Sequence, residues 1–352
     1  MEEKKKTISV ALLAYGLSGR VFHGPLLFHH PGFHLKKIWV RSGRQHPEAQ
    51  YPDLEVVDEL DAVLTDKDIE LVVVNTPEHT HYAYAKAALL AGKNVVVEKA
   101  FTITVQEAEE LIALAEAQGR LLTVFHNSRW HGDYRTISRV VQEGLLGVLV
   151  EYEAHFDRYR NYVQPDNWKE EVKPGTGSLY NLGPHLIDQT LTLFGWPEAV
   201  WADLRIQRPG GQVCDQFEVI LFYPQLKATL KSAYLVREPG ARYTLHGTEG
   251  SFVKYGADGQ EAWLKAGKSP LDEDFGTEDE RYWGRINTQV AGLHFSGTVE
   301  TEKASYMGYY DNIYDAISNQ QPLIVTPQQA LQTMKIIEAA IQSDKENKKV
   351  TL

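Results

Sequence analysis

The most chemically loaded stretch of the chain is an apolar run that stops abruptly in two charges, Val95-Val96-Val97-Glu98-Lys99-Ala100. Three consecutive β-branched residues between Gly92 and Thr104 read as a central parallel strand, buried on both faces. In open parallel sheets, ligands sit beyond the carboxyl ends of the strands, so Glu98 and Lys99 are expected on the floor of a crevice. The alternative is an ordinary solvated strand end. A second pair, Asn181 and His185, stands four residues apart and would share one face of a continuous helix. Pro184 offers another arrangement, a helix that starts there with Gly183 as its cap, leaving Asn181 one turn upstream.

A phosphate-binding turn is written in Ala14-Tyr15-Gly16-Leu17-Ser18-Gly19, after the apolar run 8–14 and before Arg20, Val21 and Phe22 at a helix start. Gly16 lets the backbone approach a pyrophosphate, and Gly19 lets the helix pack closely on the strand. Ala14 stands where the first glycine usually does, which is tolerated if that residue keeps a negative φ. The next strand, 35–40, ends in Arg41-Ser42-Gly43-Arg44, with no carboxylate. An acidic residue there would bond an adenosine 2′-hydroxyl, whereas an arginine and a hydroxyl suit a 2′-phosphate. Arg41 and Ser42 therefore favour NADP over NAD; read otherwise, Arg41 and Arg44 are solvated loop charges. Strand 70–75 runs into Asn75-Thr76-Pro77-Glu78-His79-Thr80-His81. His79 and His81 do not share a helix face, and no cysteine or acidic triad accompanies them, so this loop is expected to line a cofactor rather than hold a metal.

The elements that must carry these residues follow from periodicity. Strands and helices alternate five times through residue 127, the pattern of a doubly wound parallel sheet. Thr104-Val105-Gln106-Glu107 is a capping box that opens the helix through Gln118, and Gly92 and Gly119 close helices. Beyond Asn127 the texture changes to a helix 134–143, a strand 149–158, a polar loop 159–177 and a long helix 179–194. Strand-like stretches 199–206, 217–223, 227–236, 242–246 and 251–255 then succeed one another without helices, which implies an antiparallel or mixed sheet. An acidic surface loop is expected at 271–280, and helices at 307–318 and 328–341 finish the chain.

With 352 residues and 43% hydrophobic content, two domains with real cores are expected. A net charge of −11 argues against nucleic acid or an anionic membrane as partner and favours a small molecule. The single cysteine, Cys214, rules out an intramolecular disulfide, suits a reducing compartment and reads as a small buried hydrophobe. Residues 1–6 are a charged tail, and no stretch of about 18 apolar residues occurs, so a cytoplasmic protein is expected.

In their order along the chain, these motifs resemble the Gfo/Idh/MocA oxidoreductases, the family of glucose-fructose oxidoreductase and inositol dehydrogenase. The resemblance covers nearly the whole chain and rests on the Gly16–Gly19 turn, Thr76-Pro77 with His81, Glu98-Lys99, Asn127, and 183–188 with His185. The texture of Phe125-His126-Asn127-Ser128-Arg129-Trp130 and His155-Phe156-Asp157-Arg158-Tyr159-Arg160 is most similar to members described as NADP-dependent scyllo-inositol dehydrogenases. It implies an α/β chain: an N-terminal Rossmann domain over 1–127, and a C-terminal α+β domain over 128–352 on an open, mostly antiparallel sheet whose exposed face makes a homodimer or homotetramer. It implies that Lys99 is the catalytic lysine, an ammonium that stabilises developing alkoxide charge, and that His185 is the proton acceptor. The family's usual aspartate falls on Asn181, which can orient a hydroxyl but carries no proton, and its usual proline falls on Ala100, which Phe101 packing is expected to hold. Gly16, Leu17, Ser18, Gly19, Arg41, Ser42, Thr76, Pro77, His81, Glu98 and Asn127 would meet the dinucleotide, with Glu98 pairing with Lys99. Arg158, Tyr159 and Trp168, with Arg160 and Asn167, would meet a sugar or polyol substrate. The implied activity is NADP-linked oxidation of a secondary hydroxyl, or reduction of the ketone, with NAD as the alternative cofactor. A different outcome, motivated by Asn181 and Ala14, is a dinucleotide-binding sensor of the same fold with little catalysis.

Overall fold

The computed structural model describes residues 6–41, 47–165 and 167–352. They divide into two compact units, and the division is not a single cut in sequence. The first unit is Met1–Trp130 joined by Gly259–Gly276 and Ser305–Leu331; the second is His131–Asp258, Thr277–Ala304 and Gln332–Leu352. Two stretches of the C-terminal half thus belong to the first unit, which no local pattern announces.

In the first unit, six strands among the described residues form one parallel sheet: β1 (Ile8–Leu12), β2 (Phe33–Trp39), β3 (Glu55–Val57), β4 (Leu71–Val74), β5 (Asn94–Val97) and β6 (Leu122–Val124). Their order, β3-β2-β1-β4-β5-β6, is that of a doubly wound dinucleotide-binding sheet, with the switch point between β1 and β4. The valines of β4 and β5 are fully buried, each contributing about 1.5–3 kcal/mol by leaving water, which fixes the register that sets Val74 beside Val97. β3 escapes sequence reading because its three residues are exposed or half-buried, and only pairing with β2 defines it. The expected capping box is present: Thr104 accepts from the Glu107 N–H, Glu107 accepts from the Thr104 N–H, and Gly119 ends the helix Val105–Gln118 at φ 59°. The polypeptide at 324–325 is tied to this unit, since Thr123 donates to the Val325 carbonyl at 2.7 Å and Arg129 to that of Ile324 at 2.8 Å.

In the second unit, nine strands among the described residues form a mixed sheet in the order β14-β13-β12-β11-β7-β10-β9-β8-β15. They are β7 (Leu149–His155), β8 (Ala199–Arg205), β9 (Gln216–Phe222), β10 (Lys227–Ala233), β11 (Tyr243–Gly247), β12 (Gly250–Lys254), β13 (Gly284–Val290), β14 (Leu293–Val299) and β15 (Val350–Thr351). Every described pairing is antiparallel except β7 with β10. The β13–β14 hairpin was not legible in the sequence, because most of its side chains face outward and leave no apolar alternation. The long helix runs unbroken over Ser178–Phe194 with Pro184 inside it and packs across β9 and β10. Of the two arrangements open at Pro184, the continuous helix is the one found, so Asn181 and His185 stand one turn apart. No helix among the described residues is long and apolar enough to cross a membrane.

Candidate active site

The turn after β1 is built for a close approach. A Cβ added at Gly16 would meet nothing within 4 Å, whereas one at Gly19 would stand 2.6 Å from the Ala14 carbonyl oxygen. The first glycine is thus where space is open and the second where the helix presses on the strand. The helix begins as a π-helical turn, Gly19–His23, and continues as Gly24–His29. Asn75, just beyond β4, donates from Nδ2 to the Ala14 carbonyl at 2.8 Å, while its Oδ1 is buried without a hydrogen-bond partner. Ser18 donates to the Asn75 carbonyl at 3.5 Å, Leu17 is half exposed, and Pro77 opens the turn that leads into the helix His81–Leu90. Thr76 is buried, its hydroxyl 2.7 Å from that of Thr80, and Asn127 is buried at the start of the short turn Asn127–Trp130 after β6. Arg41, exposed just past β2, lays its guanidinium over the Trp39 ring at 5.7 Å. Ser42 and Arg44 lie outside the described residues.

Glu98 and Lys99 follow β5 directly. Glu98 Oε2 accepts from the backbone N–H of Lys99 at 3.1 Å, and Oε1 lies 3.0 Å from His23 Nε2. Burial alone would push the Glu98 carboxyl up. The bond from His23 and the nearness of Lys99 and His81 outweigh burial and hold it below the ordinary glutamate range. Ala100 and Phe101 are buried, and the Lys99–Ala100 peptide is cis. His81, expected on the cofactor's surface, is fully buried with Nδ1 2.8 Å from the Ala100 carbonyl oxygen and Nε2 2.9 Å from that of Thr76. Its ring nitrogens address backbone rather than an open crevice.

In the second unit, Asn181 and His185 share a half-buried face of the long helix. Lys169 donates from Nζ to Asn181 Oδ1 at 3.3 Å, and Asn181 Nδ2 donates to the Tyr234 hydroxyl at 3.4 Å. The Phe156 ring lies 5.8 Å from the His185 ring, and the Arg158 guanidinium lies over the same phenyl ring at 5.5 Å. Trp168 opens a short turn capped by Asn167, with the Lys169 ammonium 5.4 Å from its ring. Tyr159 is exposed and accepts from Arg237 at 2.8 Å. The expected substrate residues therefore split: Arg158 and Trp168 stand one side chain away from His185 and Asn181, while Tyr159 is engaged by Arg237.

Sequence reading missed two residues here. Arg208 is buried and holds the polar loop down, donating to both carboxylate oxygens of Glu170 at 3.0 and 2.7 Å, to the Tyr162 carbonyl at 2.8 Å and to Asp215 at 2.9 Å. In the turn Gln207-Arg208-Pro209-Gly210 it reads as an ordinary solvated charge. Lys169 is as inconspicuous in sequence. No group of three His, Cys, Asp or Glu placed to hold a metal occurs among the described residues.

Two family descriptions match this chain: the NAD-binding Rossmann fold of the GFO_IDH_MocA oxidoreductase family over residues 8–126, and the C-terminal alpha/beta domain of the same family over 139–352. The chain belongs to the Gfo/Idh/MocA oxidoreductase family. Scyllo-inositol 2-dehydrogenase (NADP(+)) IolW of Bacillus subtilis is 41% identical to it over 349 residues, spanning 99% of this chain and 97% of that protein. The uncharacterized oxidoreductase YdgJ of Escherichia coli is 42% identical, spanning 96% of each. The solved structure of yvaA from Bacillus subtilis superimposes with a TM-score of 0.95 at 41% identity, covering 100% of both chains.

As a Gfo/Idh/MocA protein, the chain is an NAD(P)-binding oxidoreductase, and the first unit's residues fit such a dinucleotide. The open space at Gly16 leaves room for a pyrophosphate, the pressed Gly19 seats the helix that faces it, and the unpartnered Asn75 Oδ1 is an acceptor awaiting a donor.

Proposed function

We propose that this chain is a dehydrogenase or reductase acting on a secondary hydroxyl, or the matching ketone, of an inositol, sugar or related polyol. NADP is the proposed dinucleotide and NAD the alternative. The observation that carries the reading is Lys99, an amine just past β5, whose valines are fully buried, on the ligand-binding edge of a dinucleotide sheet. The likeness to scyllo-inositol 2-dehydrogenase supports the substrate class and the cofactor.

The bound dinucleotide supplies the acceptor or donor of hydride. Gly16, Leu17, Ser18, Gly19, Thr76, Pro77 and Asn127 hold it, and Arg41 with Ser42 meets its 2′-phosphate. Lys99 stabilises negative charge on the reacting oxygen, an effect exerted in the transition state. His185 takes or returns the proton at a ring nitrogen. Asn181 orients a substrate hydroxyl as donor or acceptor, and Arg158 and Trp168, with Tyr159 further out, shape the substrate side. The single Cys214 suits a reducing cytoplasm, and the exposed Leu293 and Phe295 of the β13–β14 hairpin suit a homodimer or homotetramer.

The test is a screen of inositols and sugars with NADP and NAD in parallel, with Lys99→Ala beside the natural chain. Turnover of at least one polyol is expected, with Lys99→Ala slower by about 10² to 10³ while still binding NADP. Tight NADP binding with no hydride transfer to or from any substrate would instead favour the sensor, and unchanged turnover in Lys99→Ala would remove the lysine from the mechanism.

A further inference from the structure

We infer that two buried histidines, His23 and His81, clamp the backbone on either side of Lys99 and thereby set the direction of its ammonium; the inference rests on the catalytic reading of Lys99. On the N-terminal side, the Tyr310 hydroxyl and His23 Nδ1 are 2.7 Å apart, His23 Nε2 is 3.0 Å from Glu98 Oε1, and Glu98 Oε2 receives the Lys99 N–H at 3.1 Å. A carboxylate only accepts, so His23 donates from Nε2, and the Tyr310 hydroxyl then donates to Nδ1. On the C-terminal side, His81 Nδ1 lies 2.8 Å from the Ala100 carbonyl oxygen and Nε2 2.9 Å from that of Thr76; both oxygens only accept, so the ring bridges the two when each nitrogen carries a proton, and the clamp requires the proton on Nδ1. His23, His81, Tyr310 and Ala100 are all fully buried, and Phe125 packs on the His23 ring at 4.4 Å between centroids.

A lysine side chain is long and flexible, so the protein controls it chiefly by fixing where its backbone points. An angular error at Cα becomes a displacement of the order of 1 Å at the ammonium, enough to cost about 100-fold in rate. The peptide before Lys99 is held through its N–H by Glu98, and the peptide after Ala100 through its carbonyl by the buried His81, so the backbone is pinned one peptide before and one residue after the lysine. The ring nitrogens of both histidines face protein atoms, so both are positioning residues. The bond from His81 also anchors the carbonyl of Ala100 without a proline ring.

The test compares His23→Gln, His23→Leu, His81→Gln and His81→Leu. Glutamine keeps a donor near each site, whereas leucine keeps only volume. Competitive acetylation of lysines, read by mass spectrometry on the full chain without substrate, reports the reactivity of Lys99 relative to the other lysines; kcat, KM and NADP affinity are measured beside it. The leucine variants are expected to shift Lys99 labelling by about threefold or more and to lower kcat by about 100-fold, with KM and NADP affinity within about threefold. The glutamine variants should recover most of both. Unchanged Lys99 labelling and kcat in folded leucine variants would overturn the clamp, as would losses that follow thermal stability and cofactor affinity in parallel with no rescue by glutamine. If a leucine variant does not fold, Lys99 labelling in Glu98→Gln and the glutamine variants decides: the first should shift and the others hardly move, and no shift in Glu98→Gln counts against the clamp. Absence of turnover in the natural chain would sink the proposed reaction, and the labelling result would still judge the clamp.

Discussion

The ammonium of Lys169 lies 3.3 Å from the amide oxygen of Asn181, one helical turn from His185. An amide there accepts from the lysine through Oδ1 and donates through Nδ2 to Tyr234, but it cannot take a proton from a substrate. Asn181→Ala should therefore slow turnover by about tenfold, the worth of one good hydrogen bond, and Asn181→Asp should stay nearer to the natural rate. Steady-state rates on the best substrate check this. A wild-type rate in Asn181→Ala would remove the residue from the reaction.

Arg208 should govern the polar loop without touching substrate. Its side chain is almost entirely buried, and removing it leaves Glu170 and Asp215 without their counter-charge. Arg208→Met is expected to cost about 3 kcal/mol, mostly as local loosening. Limited proteolysis should then cut within 159–177 before the rest of the chain. Protection equal to that of the natural protein would show that the loop is held by other contacts.

Cofactor choice should respond to Arg41. Arg41→Ala is expected to weaken NADP binding by about tenfold and to leave NAD nearly unaffected, since one phosphate's charge-assisted contact is at stake. The preference for NADP should also shrink as salt is raised. Equal affinities of the natural chain for the two dinucleotides at low salt would contradict the assignment.

Acid should weaken the first unit through Glu98. Its folded pKa lies below the ordinary glutamate value of 4.5, so the ionised form stabilises the fold above that value, and the contribution is lost as pH falls through the folded pKa. The stability difference between the natural chain and Glu98→Gln should be constant near neutrality and narrow below about pH 4. Denaturant melts at several pH values measure it, and a gap that widened in acid would mean that the sign is wrong.

The sequence by itself determined the parts governed by local rules. Apolar runs marked β1, β4 and β5, the Thr104 and Glu107 pair marked a helix start, and the Gly16–Gly19 spacing marked a phosphate turn. Those follow from backbone sterics and burial, which act within a few residues, and together they also placed Lys99 at a strand end. Only the tertiary structure decided what surrounds that lysine. His23 meets Glu98 across 75 residues and Tyr310 across 287, and Arg208 reaches back 38 residues to Glu170. The continuity of the helix through Pro184, the strand β3 and the return of 259–276 and 305–331 to the first unit are of the same kind. Such partners are selected by burial that leaves a polar group no water to bond, a condition that exists only once the chain has folded and that no periodicity or spacing records.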